Sequence, residues 1–434
     1  MTPDSERSEW LVDMLVTSAG GLLTADRGAY AVKFRKMAVS PVAFYRGSAA
    51  LFYSDLDAAG VGMSAGPCGR LWIHGDLHAQ NFGTYLNTAG HIVFDVNDFD
   101  EACIGPFDWD LRRLTISLAL LGYSAALGDT EISGVLRDCL HEYLHQVEEF
   151  DRHGIEDGEP VVDEPTEGPV LALLNRAARR RRAEMLDEMT VIEQDQRRFH
   201  RHATATDVDS ATTDRIEAAF AGYLDTIPPG QTARPERVPT ARRGRPPRRG
   251  YRLGRPPSVN LLLRGSSRAL EDRVVLYMKR AQPAAAAKYV NDPDLTTVFA
   301  HDGERTVSSA RALQAHTDRW LGYTMLEDHG QLVAEVSPYA LDLDWADITE
   351  LPDFRLTARD LGRATARIHC VADASTDQQL VPVAAERVIH QAVAGRETEF
   401  VDELIGFAHD YASKVREDHQ LFVDAFRNHH IPDL

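Results

Sequence analysis

The chain has 434 residues, 44% hydrophobic and 26% charged. That is enough apolar material for a sizeable core and, by length, for two or three packed units, so a disordered or fibrous protein is excluded. Lys and Arg total 47 against 66 Asp and Glu, a formal net charge of −19 that repels phosphate backbones and anionic lipid, so nucleic acid and membrane surfaces are set aside as main partners.

The amino-terminal residues are polar and acidic, and no apolar run approaches the ~18 residues of a membrane span, so neither export nor insertion is expected. Cys68, Cys103, Cys139 and Cys370 lack the spacing of a zinc site or a disulfide framework, which points to a reducing cytoplasm.

Residues 1–60 read as mostly helical. Residues 71–73 and 91–96 read as short strands flanking a polar loop, and 111 to about 201 as helical again. The acidic, breaker-rich stretch 151–168 reads as an exposed connection, and the Arg/Pro-rich stretch 227–257 as a linker carrying a phosphate loop.

From 258 the pattern turns to strands. Residues 259–263 are expected to pair with 273–279 across Gly265-Ser-Ser, and 320–326 with 332–336 across Asp328-His-Gly330, with one helix over 304–317 between the hairpins. From Thr357 the chain reads as helical, with Leu361, Ala364 and Ile368 on one face. The expected units are therefore a helical lobe over 1–226, the linker 227–257, a β-rich lobe over 258–340, and helices over 341–434 that complete the helical lobe.

The segment richest in chemistry is His74-Gly-Asp-Leu-His-Ala-Gln-Asn81, followed after a strand by Asp95-Val-Asn-Asp-Phe-Asp100-Glu. Phosphoryl transfer asks for one carboxylate beside the acceptor hydroxyl and an Asn and an Asp that hold magnesium against nucleotide phosphates. Asp76 fits the first role, and Asn81 and Asp98 the second. Asp, Asn and His are also ordinary turn formers; two spaced loops joined by an apolar strand favour chemistry.

A metal-only alternative uses His74, His78, Asp76 and Asp98 as a hydrolytic zinc or iron site. Gly75 and the turn-like composition weigh against the helix it would need. The Asp95 run is no calcium loop, because Phe99 and Asp100 stand at its fifth and sixth positions.

Lys279 ends an apolar strand, where a cation either reaches the α- and β-phosphates or is simply solvated; as one of only five lysines, with Lys33, Lys36, Lys288 and Lys414, and placed after a hairpin, it is read as the former. Gly250-Tyr-Arg-Leu-Gly254 offers backbone donors for phosphate, with Arg252 adding charge. The backbone from Glu335 to Ser337 suits an adenine edge, or else belongs to an ordinary edge strand.

Arg46, between aromatics and Gly47, anchors an anion or holds two helices together. The run from Arg176 to Arg182, on a predicted helix, binds an acidic substrate or is a solvated face neutralised by Glu184, Asp187 and Glu188. His141 and His145 are read as helix-surface residues.

Together with Gly105-Pro-Phe-Asp-Trp-Asp110-Leu, these loops resemble the aminoglycoside and choline kinase branch of the protein-kinase-like fold, whose pattern is His-Gly-Asp-Leu-His-x-x-Asn, then Asp-Phe, then Gly-(x)n-Asp-Leu. The resemblance implies ATP and Mg2+ as cofactors, Asp76 as catalytic residue, Asn81 and Asp98 as metal ligands, and Asp110 as a brace for the catalytic loop, with His74, His78, Asp95 and Asp100 in support. It also implies a Glu on the helix after the lysine. Ser308 stands there instead, and Glu304, a turn earlier, is the candidate substitute.

A wider match, adding Lys36-Met and Ser40-Pro-Val-Ala-Phe-Tyr-Arg-Gly47 and extending through Ala102 and Leu111, looks like the uncharacterised bacterial family named domain of unknown function 2252. It covers most of the chain and supplies no substrate.

The parts come in an unusual order, since loop 74–81 precedes Lys279, and helix 361–369, which resembles the one normally before that loop, follows it. One circular permutation accounts for both displacements. The expected fold class is α+β: a circularly permuted, two-lobed protein-kinase-like fold with a mainly helical lobe and a small antiparallel β lobe. The expected function is ATP/Mg-dependent transfer to a hydroxyl of a small molecule or peptide. The alternatives are a pseudokinase that holds nucleotide or a partner without turnover, adenylyl transfer from an inverted nucleotide, and a metal-dependent hydrolase.

Overall fold

The structure is a computed structural model that describes residues 3–62, 66–155, 167–200, 205–207, 209–228, 240–244, 258–264, 269–290, 292, 295, 297–314, 316–371 and 380–434. Four helices open it: α1 (Pro3–Ala25), α2 (Arg27–Met37), α3 (Pro41–Gly47) and α4 (Ala49–Ala59). Their starts follow local chemistry, because Asp26 accepts from Ala29 N at 2.9 Å and Ser40 from Ala43 N at 3.2 Å, with Pro41 at the first position of α3.

Strand β1 (Leu71–Ile73) leads into the polar loop, and β2 (Phe82–Leu86) and β3 (Ile92–Val96) form a hairpin, with Phe82 opposite Val96. The two strands expected to flank the loop therefore do not pair with each other. Phe82-Gly-Thr-Tyr-Leu86, unanticipated as a strand, takes β3, and β1 pairs instead with β4 (Cys103–Gly105). The turn between β2 and β3 closes through Asn87 N to His91 O at 2.9 Å.

The helical core is built from α5 (Phe107–Ser124), α6 (Asp129–His153), α11 (Leu351–Val371), α12 (Ala385–Val393) and α13 (Glu397–Arg427). Helix α11 lies along α6 and α13 along α5. The α11–α6 approach depends on Gly362, where a Cβ would sit 2.2 Å from the Cys139 carbonyl oxygen. One continuous buried cluster links these helices to α1–α4 and to the strands around the polar loop.

Helices α7 (Gly168–Ala178) and α8 (Arg182–Met189) follow, but the expected helical span to 201 is interrupted by a hairpin, β5 (Thr190–Glu193) and β6 (Gln196–Phe199). Thr190-Val-Ile is a β-branched run, and Gln194 and Asp195 both take positive φ, 49° and 57°, which suits a two-residue hairpin turn. The arginine run likewise spans a break between α7 and α8 rather than one helix.

The second sheet contains β7 (Ala205–Asp207), β8 (Thr240–Gly244), β9 (Ser258–Arg264), β10 (Arg273–Arg280), β11 (Gly322–Leu326) and β12 (His329–Glu335), in the antiparallel order β11-β12-β10-β9-β8-β7. Both expected hairpins form, β9 with β10 and β11 with β12. Strand β12 lies inside the sheet, not at its edge, and β7 and β8 extend it from stretches read as helical lobe and linker.

Helix α9 (Ser210–Leu224) covers one face of this sheet with Ile216, Phe220 and Tyr223, while Met185, Leu186 and Met189 of α8 cover the other at Leu262 and Val275. Covering on both faces explains why Ser258 to Leu263 are buried without alternation. It also places α8 and α9, expected in the helical lobe, against the β sheet. Helix α10 (Asp302–Leu313), shorter than the expected 304–317, packs on β11 and β12.

The protein is thus a mixed α+β chain, mostly helical with small antiparallel sheets. Among the described residues no helix is long and apolar enough to cross a membrane, and the four cysteines are free.

Candidate active site

The polar loop after β1 hangs from Asp110, in the first turn of α5. This buried carboxylate accepts from His74 N at 2.6 Å, from Gly75 N at 2.9 Å, and faces His369 Nε2 of α11 at 3.2 Å; the other His369 nitrogen meets the Tyr143 hydroxyl at 2.9 Å. Gly75 has φ 74°, and a Cβ there would fall 2.1 Å from Glu101 O, so both conformation and space demand glycine. The Tyr53 hydroxyl donates to Gly75 O.

This scaffold presents Asp76, whose Oδ1 accepts from Arg113 Nε at 2.8 Å and also from Nη2, and whose Oδ2 lies 3.8 Å from His78 Nε2. Burial pushes the Asp76 carboxyl up to about 7; Arg113 opposes the shift, and Glu101 and Asp98 add to it. Asn81 Nδ2 donates to Asp76 O at 2.9 Å and Asn97 N to Asn81 O at 2.8 Å, which ties this loop to the one after β3. With its amide nitrogen so engaged, the side-chain oxygen of Asn81 is the atom that could hold a cation.

Asp98 follows β3 in a left-handed backbone conformation, φ 66° and ψ 66°, uncommon for a residue with a side chain. Lys279 reaches it from β10: its side chain is 4% exposed, its Nζ stands 3.7 Å from Asp98 Oδ1, and it is hydrogen-bonded to Asp100. Burial alone favours loss of the lysine proton, but Asp100 and Asp98 outweigh it and hold the ammonium above its ordinary pKa. The loop after β3 and the end of β10 therefore meet directly.

That cleft holds about 980 Å³ of space open to solvent, with walls that include Leu86, Val96, Asp98, Lys279, Leu332 and Glu335. Asp76, Asn81 and Asp100 are not part of its wall. Glu335 ends β12; its N–H donates to Asp318 Oδ2 at 2.8 Å, and its carboxylate is paired with Arg182. Burial and the neighbouring Asp318 push the Glu335 carboxyl up to about 7, against Arg182. The backbone donor at Glu335 is thus already engaged.

Asp95 is not part of the cleft wall; it is buried, with Oδ1 accepting from Val96 N at 2.8 Å, and burial lifts it to about 6 against Arg367. Arg46 acts on His78, adding to the burial that holds this imidazole well below its usual pKa. Gly250, Gly254 and Arg252 lie outside the described residues. In the arginine run, Arg176 pairs with Asp347 at 3.8 Å and Arg182 with Glu335, whereas Asp187 pairs with Arg197, outside the run, at 2.7 Å.

Ser308 is not on the cleft face of α10, which is formed by Thr306, Ala310 and Gln314. Nor does Glu304 reach Lys279; it accepts from Ala300 N at 2.7 Å and from the Tyr323 hydroxyl at 3.2 Å. Among the described residues no group of three or more His, Cys, Asp or Glu side chains is placed to hold a metal ion, so His74, His78, Asp76 and Asp98 do not form the four-ligand site. The reason is local, since His74 Nε2 faces Asn97 O at 2.9 Å and its Nδ1 faces Asp76 N at 3.3 Å. Asn81 and Asp98, on loops joined by the Asn97 N to Asn81 O bond, each carry an oxygen of the kind magnesium takes.

Three residues of the site were not anticipated. Arg113 clamps Asp76, and its position three residues after Asp110 on one helix was a usable signal. Arg305 donates to Ala102 O at 2.5 Å, Asp100 O at 2.8 Å and Gln282 O at 2.6 Å, contacts that no local pattern announces. Thr306 lines the cleft, 1% exposed, with a hydroxyl that has no hydrogen-bond partner among the described residues.

No curated protein and no solved structure matches this chain. A family model described as an uncharacterised protein conserved in bacteria matches residues 26–425, which include every described residue of the site. The chain belongs to that family, domain of unknown function 2252.

Proposed function

We propose that the protein is an ATP- and magnesium-dependent phosphotransferase with a circularly permuted kinase-like fold, acting on a hydroxyl of a small molecule or peptide. The observation that carries this reading is the meeting of Lys279 with Asp98 on the wall of one cleft, with Asp100 bonded to the same ammonium. In it, Lys279 binds the α- and β-phosphates, Asp98 and Asn81 hold magnesium, and Asp76 receives the acceptor hydroxyl proton. Bound magnesium would neutralise phosphate charge.

Asp110 supports the same reading, because one carboxylate holds the backbone of His74 and Gly75 and also meets His369 of α11. In a permuted chain α11 is the element that would otherwise come just before the catalytic loop. A nucleotide-binding protein without transfer is the second reading, favoured by the Arg113 clamp, which occupies the carboxylate oxygen of Asp76.

The test is thermal protection by ATP with magnesium, together with product analysis. Protection that disappears in Asp98→Ala supports the site; unchanged binding in that variant rejects the metal assignment. Release of ADP with an acceptor supports phosphoryl transfer, AMP-linked product supports adenylyl transfer, and protection without turnover supports the second reading.

A further inference from the structure

We propose that Asp100, steadied by Arg305, is the positioning partner of Lys279, doing from the metal loop what a carboxylate on the following helix would otherwise do. The inference rests on the nucleotide-site reading above.

A buried ammonium needs a charged partner, and α10 supplies none. The residues it turns to the cleft are Thr306, Ala310 and Gln314, and Glu304 is committed to Ala300 N and the Tyr323 hydroxyl. The partner comes instead from a 3-10 turn, Phe99–Glu101, directly after Asp98, where Asp100 accepts from Lys279 Nζ.

Arg305 fixes that turn. Arg305 is 7% exposed, and its guanidinium donates to the carbonyls of Asp100 and Ala102 at the turn and to that of Gln282, two residues past the end of β10. One side chain of α10 therefore joins the helix, the metal loop and the lysine strand. Lysine and metal ligand are held in a single unit, which α10 ties together through Arg305. The ammonium has three N–H groups; keeping one on Asp100 aims the others at arriving phosphates, while Asp98 turns to the metal.

The experiment is binding of a fluorescent ATP analogue with magnesium to wild type, Lys279→Met, Asp100→Asn, Asp100→Glu, Arg305→Lys and the Lys279→Met/Asp100→Asn double variant, each checked by melting. Asp100→Asn is expected to weaken binding by about tenfold or more, as for loss of one member of a buried charge pair. The double variant is expected to be no weaker than Lys279→Met, because both changes break one interaction. Arg305→Lys and Asp100→Glu should lie between wild type and Asp100→Asn.

Should Asp100→Asn not fold, Asp100→Glu carries the comparison, with its loss present only while Lys279 is present. Wild-type binding that is indifferent to Asp100, or losses that simply add, overturn the inference and leave the site reading standing. No binding by wild type overturns both.

Discussion

Asp110 and His369 meet at 3.2 Å although 259 residues separate them in the chain. The contact joins α5, which follows the polar loop, to α11, near the other end of the sequence. Since Asp110 also receives the amides of His74 and Gly75, it sets the geometry of everything the loop presents.

Replacing Asp110 by Ala should therefore destabilise the protein by about 3–5 kcal/mol, as removal of one partner from a buried charged network does. Urea unfolding measures this, and a loss below about 1 kcal/mol, the size of one ordinary hydrogen bond, would contradict the bracing role.

Gly75→Ala should be similarly damaging, because the residue is in the left-handed region and the added methyl would meet the backbone oxygen of Glu101, which has no flexible end to move aside. Reduced expression or a lowered melting temperature is expected, whereas Gly90→Ala, with open space at its Cβ, should lose only the cost of its positive φ.

The pH dependence follows from Asp76. The native protein keeps its proton until about pH 7, whereas the unfolded chain releases it near pH ~4. Between these values the native state binds the extra proton, so this group's contribution makes the unfolding free energy fall as pH rises from about 4 to about 7 and level off above. Transfer activity, which needs the ionised form, should rise through pH about 7. Because Arg113 opposes the shift, Arg113→Met should move that midpoint upward; an unmoved midpoint would exclude Asp76 as the titrating group.

The unpartnered hydroxyl of Thr306 gives a prediction of opposite signs in the two states. Thr306→Val should raise the stability of the unliganded protein by about 1 kcal/mol, by removing an unsatisfied buried polar group of similar shape. It should also reduce the protection that nucleotide confers, if that hydroxyl bonds the ligand. Melting with and without ATP and magnesium measures both effects.

Much of the site was legible in the linear order. His74 to Asn81 and Asp95 to Asp100 announce themselves by spacing and turn chemistry, and the two long hairpins by β-rich runs separated by turn residues. Phe82–Leu86 is not legible as a strand, because five residues between two polar loops carry little periodic signal. The hairpin Thr190–Phe199 was missed because its second strand, Gln-Arg-Arg-Phe, has a polar composition, and its strand character comes from pairing with the first.

What the sequence determined by itself was therefore the local vocabulary: which segments form helices or strands, which loops carry carboxylates, and where a rare lysine ends an apolar strand. Only the tertiary structure decided the partners, placing Asp100 rather than a residue of α10 on Lys279, Arg113 on Asp76, and Arg305 across three segments. Periodicity and turn chemistry act between near neighbours and can be read along the chain, whereas the pairing of buried charges is settled by packing, which brings Lys279 to Asp100 across 179 residues.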